Sequence, residues 1–149
     1  MNLAYVAGLL DGEGCINFTK CRDLKIPRVY ITNTNLDILE DLKKQFGGHI
    51  QKATRADVSW KPAFHWVISN SACARFLEQI EKWVRIKQEQ VWLVLAWDAI
   101  RPGTGHLWSN EAKEALELIN AQSKWLNWKG VGRPEISPID QELALIGSK

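Results

Sequence analysis

The sequence has few cysteines, no long apolar run and almost no net charge, and the first two shortages each argue against a class of protein. Its three cysteines are odd in number, and none belongs to a Cys-x-x-Cys pair, which argues against a disulfide framework or a zinc site. We therefore expect a reducing, intracellular compartment and not a secreted protein. No apolar stretch is long enough for a membrane span, and we expect no signal peptide. A net charge of +2 does not by itself indicate a nucleic-acid ligand.

The composition that remains is that of an ordinary globular protein. Apolar residues make up 46% and charged residues 24% of the 149 residues, which is typical of one folded domain and not of a disordered chain. We expect a single domain over 1–130. Glycine, proline and serine become frequent from Gly130 onward, so residues 131–149 are predicted to form a flexible C-terminal tail.

The spacing of apolar residues predicts an α+β fold with the element order αββαββα, followed by further helices. A short helix over 2–11 is apolar all round, which indicates burial on all sides, and Gly12 and Gly14 mark its end. Alternating apolar and polar residues predict two β-hairpins, with strands over 15–24, 28–32, 49–55 and 62–69. Helical periodicity predicts further helices over 35–46, 71–84, 87–100 and 109–127.

The segment VAGLLDGEG, residues 6–14, combines a close-packing surface with two carboxylates. Small residues recur at four-residue spacing in Ala4, Gly8 and Gly12, so that another helix can approach closely. Asp11 and Glu13 lie at the C-terminal end of the helix, where the helix dipole disfavours negative charge. A bound divalent cation such as Mg²⁺ explains them, because it prefers hard oxygen ligands. A buried helix with an acidic turn and no chemical role is the alternative.

The whole string resembles the LAGLIDADG motif of homing endonucleases at nearly every position. Val6 replaces Leu, Leu10 replaces Ile, Gly12 replaces Ala and Glu13 replaces Asp, and the string occurs once. The resemblance covers roughly residues 2–84 and continues through the C-terminal helices. It implies a single-motif, intron-encoded endonuclease that hydrolyses double-stranded DNA at a long palindromic or pseudo-palindromic site. The implied cofactor is Mg²⁺ or another divalent cation such as Mn²⁺, with Ca²⁺ as a non-catalytic substitute.

The resemblance also assigns roles to individual residues. Glu13 matches the metal-binding acidic residue, assisted by the backbone carbonyl of Gly12. Lys87 matches a basic residue beside the scissile phosphate, with a solvated helix lysine as the alternative, and Asn33 is a candidate for a polar residue near the metals. The motif helices of two domains pack together in this family, so a single motif implies a homodimer. The predicted interface residues are Ala4, Ala7, Gly8 and Asp11, the last as an organiser of the helix end.

A four-stranded antiparallel saddle is implied as well, with its outer face in the DNA major groove. Basic residues outnumber acidic ones by four to one over 17–30 and by three to one over 49–61, whereas the stretch 109–120 has three glutamates and one lysine. The segment 124–130 resembles a basic segment of the family that contacts backbone phosphate. The predicted DNA-binding residues are Asn17, Thr19, Cys21, Asp23, Arg28, Tyr30, Gln51, Arg55, Lys61, His65, Lys124, Asn127 and Lys129.

Some of these assignments have alternatives. Arg28 and Arg55 are the candidates for reading guanine, whereas His65 equally fits a core histidine beside Trp66. Two further functions fit the same fold, an RNA splicing maturase that binds its host intron and a DNA-binding regulator with a degenerate motif. The acidic residue at position 13 and Lys87 favour a nuclease over a regulator. Maturase activity stays open, because it can coexist with cleavage.

Overall fold

The structure, a computed structural model, describes residues 1–54, 59–103 and 105–148. Its elements follow the predicted αββαββα order and continue with three further helices. In chain order they are α1 (Leu3–Glu13), β1 (Gly14–Cys21), β2 (Leu24–Asn33), α2 (Leu36–Phe46), β3 (His49–Lys52), β4 (Phe64–Ser69), α3 (Asn70–Ile80), α4 (Gln88–Ile100), α5 (Asn110–Leu126) and α6 (Pro138–Gly147). Within these ranges no helix is long and apolar enough to cross a lipid bilayer.

The four strands form one antiparallel sheet in the order β1-β2-β4-β3. Side chains alternate across it, as the sequence predicted, because successive residues of a strand point to opposite faces. The inner face packs on the helices and contributes Ile16, Val29, Ile31, Trp66 and Ile68 to the core. The opposite face, called the outer face below, presents polar side chains. The predicted α+β fold with a four-stranded antiparallel sheet is confirmed.

An aromatic cluster fixes α2 and α3 against the sheet. The Trp66 and Phe76 rings meet edge to face with centroids 5.1 Å apart, and Phe46 packs against Phe76 in the same way at 4.9 Å. The buried Trp66 indole N–H donates to the carbonyl of Gly47 at 2.8 Å, so the polar edge of the ring is satisfied. This cluster holds the inner face rigid behind the outer face.

Several predicted boundaries differ from the structure. Strand β2 starts at Leu24 and includes Pro27, which lies opposite Phe18 of β1 and precedes the segment that pairs with β4. A proline fits there because no β4 neighbour requires its missing N–H. Helix α3 ends at Ile80, and a short 3₁₀ turn (Glu81–Trp83) follows it. Strand β3 ends at Lys52, before the predicted end at residue 55. The turn predicted over 56–59 falls largely on residues 55–58, which lie outside the described residues.

Residues 131–149, predicted as a loose tail, contain helix α6. Ser137 is only 3% exposed, and its hydroxyl accepts the N–H of Asp140, while Pro138 occupies the first turn. The Ile139 N–H donates to Gln122 of α5, which fixes the start of α6 on the domain. Serine and proline therefore begin a helix here. Composition alone does not distinguish serine and proline at the start of a helix from the same residues in a loose tail.

Candidate active site and nucleic-acid interface

Helix α1 passes into β1 through a tight junction at Gly14. A Cβ atom at Gly14 would lie 2.6 Å from the carbonyl oxygen of Leu10, so only glycine fits this close approach. Glu13 is the last residue of α1 and is exposed. Within the described residues its carboxylate has no hydrogen-bond or ion-pair partner. The junction therefore presents a free carboxylate at the end of the sheet.

Asp11 connects this helix end to the segment before α4. Its carboxylate accepts the backbone N–H groups of Arg85, Ile86 and Lys87, at 2.8, 3.2 and 3.1 Å respectively. Three donors converging on one carboxylate form a charge-assisted anchor at the start of α4. Asp11 therefore organises a chain segment 74 residues away along the sequence.

We expect Asp11→Ala to lower the free energy of unfolding by about 2 kcal/mol, because it leaves three N–H groups without their charged acceptor. Urea denaturation measures this loss. The stability of Asp11→Asn is expected to lie between those of the wild type and Asp11→Ala, since one amide oxygen replaces two carboxylate oxygens. The control is Asp41→Ala at an exposed position on α2, for which we expect less than about 0.5 kcal/mol. Equal stabilities for Asp11→Ala and Asp41→Ala would show that the anchor does not stabilise the fold.

Lys87 lies directly against the motif. Its ammonium group donates a hydrogen bond to the backbone carbonyl of Asp11, and the residue is partly buried. A solvated surface lysine would have neither property. The Asp11 carboxylate binds the Lys87 backbone N–H, and the Lys87 ammonium group contacts the Asp11 carbonyl, two residues before Glu13 in the chain.

Asn33 lies at the same end of the sheet, but its side-chain oxygen already has a hydrogen-bond partner. Ile31 is opposite Gly14, so Asn33, at the end of β2, lies two residues beyond it. Its side-chain oxygen accepts the N–H of Asn35 at 2.9 Å and starts the turn into α2. Its catalytic role stays a prediction, and the structure gives it a local turn contact.

The donor set at the junction suits half of a hard-cation site. Within the described residues there is no group of three or more His, Cys, Asp or Glu side chains able to hold a metal ion. One chain offers the Glu13 carboxylate and the Gly12 carbonyl, which lies in the last turn of α1, where carbonyls have no partner inside the helix. These are oxygen donors of the kind that Mg²⁺ and Ca²⁺ prefer. A second set of donors is needed to complete such a site.

Helix α1 has one face inside the domain and one face outside it. Val6, Ala7 and Leu10 are fully buried in the core. The other side exposes Ala4, Tyr5, Gly8 and Gly12, and Tyr5 is 53% exposed. We call this second surface the α1 exposed face. Burial on all sides is thus incorrect for the single chain.

This division corrects the predicted interface. Ala7 is not available to a partner, because it packs inside its own domain. Asp11 is engaged with the segment before α4 and not with a surface. Ala4 and Gly8 do lie on the α1 exposed face, together with Tyr5 and Gly12, which the predicted interface omitted. Spacing alone did not show which of two apolar stripes faces the core.

The outer face holds a connected set of polar side chains. The Arg28 guanidinium lies 5.5 Å from the centroid of the Tyr30 ring, and Tyr30 packs edge-on against His65 with centroids 5.7 Å apart. His65 Nδ1 hydrogen-bonds the Thr32 hydroxyl at 2.7 Å. A cavity of about 170 Å³ opens among Arg28, Tyr30, Gln51, His65 and Val67. His65 therefore lies on the outer face, and the core alternative applies only to its neighbour Trp66.

Burial, followed by the nearby Arg28 charge, lowers the pKa of His65 below its usual 6.5. The unfolded chain therefore takes up a proton just below that pH while the folded chain does not, so stability falls as pH decreases through this range. We expect His65→Gln to remove this dependence, measured by urea unfolding between about pH 7.5 and 5.5. His49→Gln, at an exposed position of β3, is the control. Identical pH profiles for wild type and His65→Gln would contradict the assignment.

The other predicted DNA-binding residues lie in several places. Asn17, Thr19 and Cys21 follow the outer face of β1, and Asp23 lies in the turn after it. Lys61 is exposed just before β4, and Arg55 lies outside the described residues. The prediction omitted Cys15, Thr32 and His49, although the same alternation extends to each of them. A hydrogen bond to Cys15, together with burial, raises the pKa of Tyr30, so the two side chains form one cluster.

The C-terminal basic segment is tied to the sheet. The Asn127 amide donates to the carbonyl of Ile16 in β1 at 2.8 Å, which is a structural contact, and its contact with phosphate stays a prediction. Lys124 and Lys129 are exposed and stay candidates. Arg133, which the prediction omitted, lies 4.1 Å from the centroid of the Trp125 ring.

Several solved structures share this fold. The homing endonuclease I-CvuI, in complex with its target in the presence of calcium, matches with a TM-score of 0.68 at 21% identity, over 97% of this chain and 94% of that one. The archaeal intron-encoded homing endonuclease I-Vdi141I, complexed with DNA, matches with a TM-score of 0.68 at 19% identity, over 98% and 94%. The LAGLIDADG homing endonuclease I-SmaMI, bound to cleaved DNA, gives 0.66 at 22% identity, over 92% of this chain and 52% of that one.

The chain thus has the fold of the LAGLIDADG homing endonucleases, as the segment VAGLLDGEG suggested. No family model matches the chain, and no curated protein matches it in sequence. At these identities the likeness establishes the fold, and the activity has to be argued from the residues of this chain.

Proposed function

We propose that this protein is a site-specific endonuclease that hydrolyses double-stranded DNA as a homodimer, with a divalent cation. The observation that carries the proposal is the contact of the Lys87 ammonium group with the carbonyl of Asp11, two residues before the exposed Glu13. The Lys87 ammonium group, the free Glu13 carboxylate and the Gly12 carbonyl thereby lie at one helix end. The solved structures of similar fold are homing endonucleases in complex with DNA, which supports the same class of activity.

Charge explains what each group contributes to cleavage. Negative charge develops on the phosphate oxygens as a phosphodiester is attacked, and groups already in place stabilise it. Lys87 supplies a fixed positive charge, because the Asp11 anchor holds its backbone and the Asp11 carbonyl orients its ammonium group. Glu13 and Gly12 would hold the cation. When bound, a divalent cation adds Lewis-acid charge at the phosphate.

The homodimer is proposed because one chain has only half of the required donors. Two copies that meet through the α1 exposed face would bring two Glu13 carboxylates together about a two-fold axis. Glycine at positions 8 and 12 allows the two helices to approach closely, because it has no side chain. Both positions are open in the single chain, where an added Cβ atom would meet no atom within 4 Å. A symmetric protein then requires a palindromic or nearly palindromic DNA site.

The outer face is the proposed DNA surface. An antiparallel β-ribbon fits the major groove, where base pairs are distinguishable. Arg28, Gln51 and His65 lie on this face, and Lys20 and Lys25 lie on the hairpin at its far end. Helix α5, by contrast, exposes Glu111, Glu114 and Glu117 and would repel phosphate.

Selection of cleaved sites from a randomised DNA library tests the function directly. We expect enrichment of one palindromic family of sites with Mg²⁺ and none with EDTA. A parallel binding assay with structured RNA separates the maturase alternative. Enrichment by binding alone, without cleavage at any divalent cation, would support a DNA-binding regulator and overturn the nuclease proposal.

A further inference from the structure

One arginine of the outer face has its orientation set by its neighbours. Arg28 lies directly opposite Asn17 of β1, and its guanidinium rests against the Tyr30 ring. The Tyr30 ring is in turn supported edge-on by His65, which is fixed by its hydrogen bond to Thr32. An arginine held in this way loses little further freedom when a ligand binds to it.

Arg28 also has hydrogen-bonding capacity that the domain does not use. Its guanidinium makes no hydrogen bond or ion pair with any of the described residues, and its Nε is buried without an acceptor. The Oδ1 atom of Asn17, across the strand pair, is likewise buried without a donor. These two atoms are buried and out of the reach of a ligand. The terminal amino groups of the Arg28 guanidinium are not buried in this way and have no acceptor among the described residues, so a ligand that supplies acceptors to them is favoured.

In the major groove, the guanine of a G·C base pair offers such acceptors. Guanine presents two acceptors, O6 and N7, and cytosine presents an amino donor at N4. The planar fork of arginine matches the two guanine acceptors, which an ammonium group does not. An A·T pair offers one acceptor and one donor on adenine and so fits the fork less well.

We infer that Arg28 reads a guanine in each half of the DNA site and that Tyr30 is the positioning residue. This inference rests on the proposed function, since it assumes that the outer face lies in the major groove. It adds the identity of one base pair in each half-site.

The sheet register also gives the position of that base pair. Strand β1 starts at Gly14, beside Glu13 and the α1 exposed face, so this end lies at the centre of the proposed dimer. Asn17 and Arg28 lie three residues further along the ladder, about 10 Å away at ~3.3 Å per residue. That distance corresponds to about three base-pair steps of ~3.4 Å. The guanine is therefore expected about three base pairs outward from the pair beside Gly14.

The library selection tests this when it is run on three proteins: wild type, Arg28→Gln and Arg22→Gln. Arg22 lies in the exposed turn between β1 and β2 and serves as the matched control. We expect wild type and Arg22→Gln to enrich the same symmetric guanine. Arg28→Gln should lose that preference by about ten-fold at this one pair of positions and keep the others. Arg28→Lys, which keeps the charge but not the fork, should lose it as well.

Tyr30 variants separate positioning from general structure. Tyr30→Phe keeps the ring and is expected to keep the guanine preference, whereas Tyr30→Leu should weaken it at the same positions only. Cleaved sites that are identical for wild type, Arg28→Gln and Arg28→Lys would overturn the inference and leave the proposed function standing. If wild type enriches no site, the proposed function fails and the inference fails with it.

Discussion

Glu13→Gln is expected to abolish DNA cleavage while DNA binding persists. Glutamine has nearly the size of glutamate, but its neutral amide is a weak ligand for a divalent cation. We expect the single-turnover cleavage rate to fall by at least about 100-fold, the scale of losing one group that stabilises charge in the transition state. Single-turnover cleavage of a selected site with Mg²⁺ measures the loss, and fluorescence anisotropy with Ca²⁺ measures the binding that remains.

The surroundings of Glu13 indicate that this substitution leaves the fold unchanged. Glu13 is exposed, and its carboxylate contacts no hydrogen-bond donor within the described residues, so stability is expected to change by less than about 0.5 kcal/mol. Glu40→Gln at an exposed position on α2 is the matched control and should cleave like wild type. Cleavage at the wild-type rate by Glu13→Gln would remove Glu13 from the site. Loss of the folded circular-dichroism spectrum would instead assign it a structural role.

The outer face was predictable because strands have a strict two-residue period. Asn17, Arg28 and Tyr30 were placed correctly from alternation alone, and the register then set Asn17 opposite Arg28. Cys15 and Thr32 belong to the predicted strands and continue the same alternation, but the predicted DNA-binding residues omitted them. Each lies near a strand end, where a neighbouring turn or helix competes with the strand pattern.

Helix α1 shows where periodicity is ambiguous. Because it is apolar on both sides, the pattern did not distinguish the stripe of Val6, Ala7 and Leu10 from the stripe of Ala4 and Gly8. Only the packing of the whole domain decides which stripe is covered. The partners of Asp11 could not be predicted from the sequence either, since they are backbone N–H groups that almost any residue type can supply. The resemblance identified the importance of Asp11 and Lys87, and the structure supplies their contact.

Gly8→Leu is expected to prevent dimer formation without harming the single domain. A Cβ atom at Gly8 meets no atom within 4 Å, and leucine favours a helix over glycine by up to about 1 kcal/mol. In a symmetric dimer the added side chain enters the interface twice. At about 1–3 kcal/mol of overpacking for each copy, dimerisation is expected to weaken by roughly 30-fold to roughly 20,000-fold.

Sedimentation equilibrium measures the assembly, and cleavage of the palindromic site should fall with the dimer fraction. Ala121→Leu, at an exposed position of α5, is the control for adding a leucine to a helix surface. A Gly8→Leu protein that dimerises as tightly as wild type would exclude the α1 exposed face as the interface. Because Gly8 belongs to the motif but not to the cation-binding groups, joint loss of dimer and cleavage would tie catalysis to assembly. Glu13→Gln should leave the dimer intact. The two variants together therefore separate the role of Glu13 in cation binding from the role of Gly8 in helix packing within the segment VAGLLDGEG.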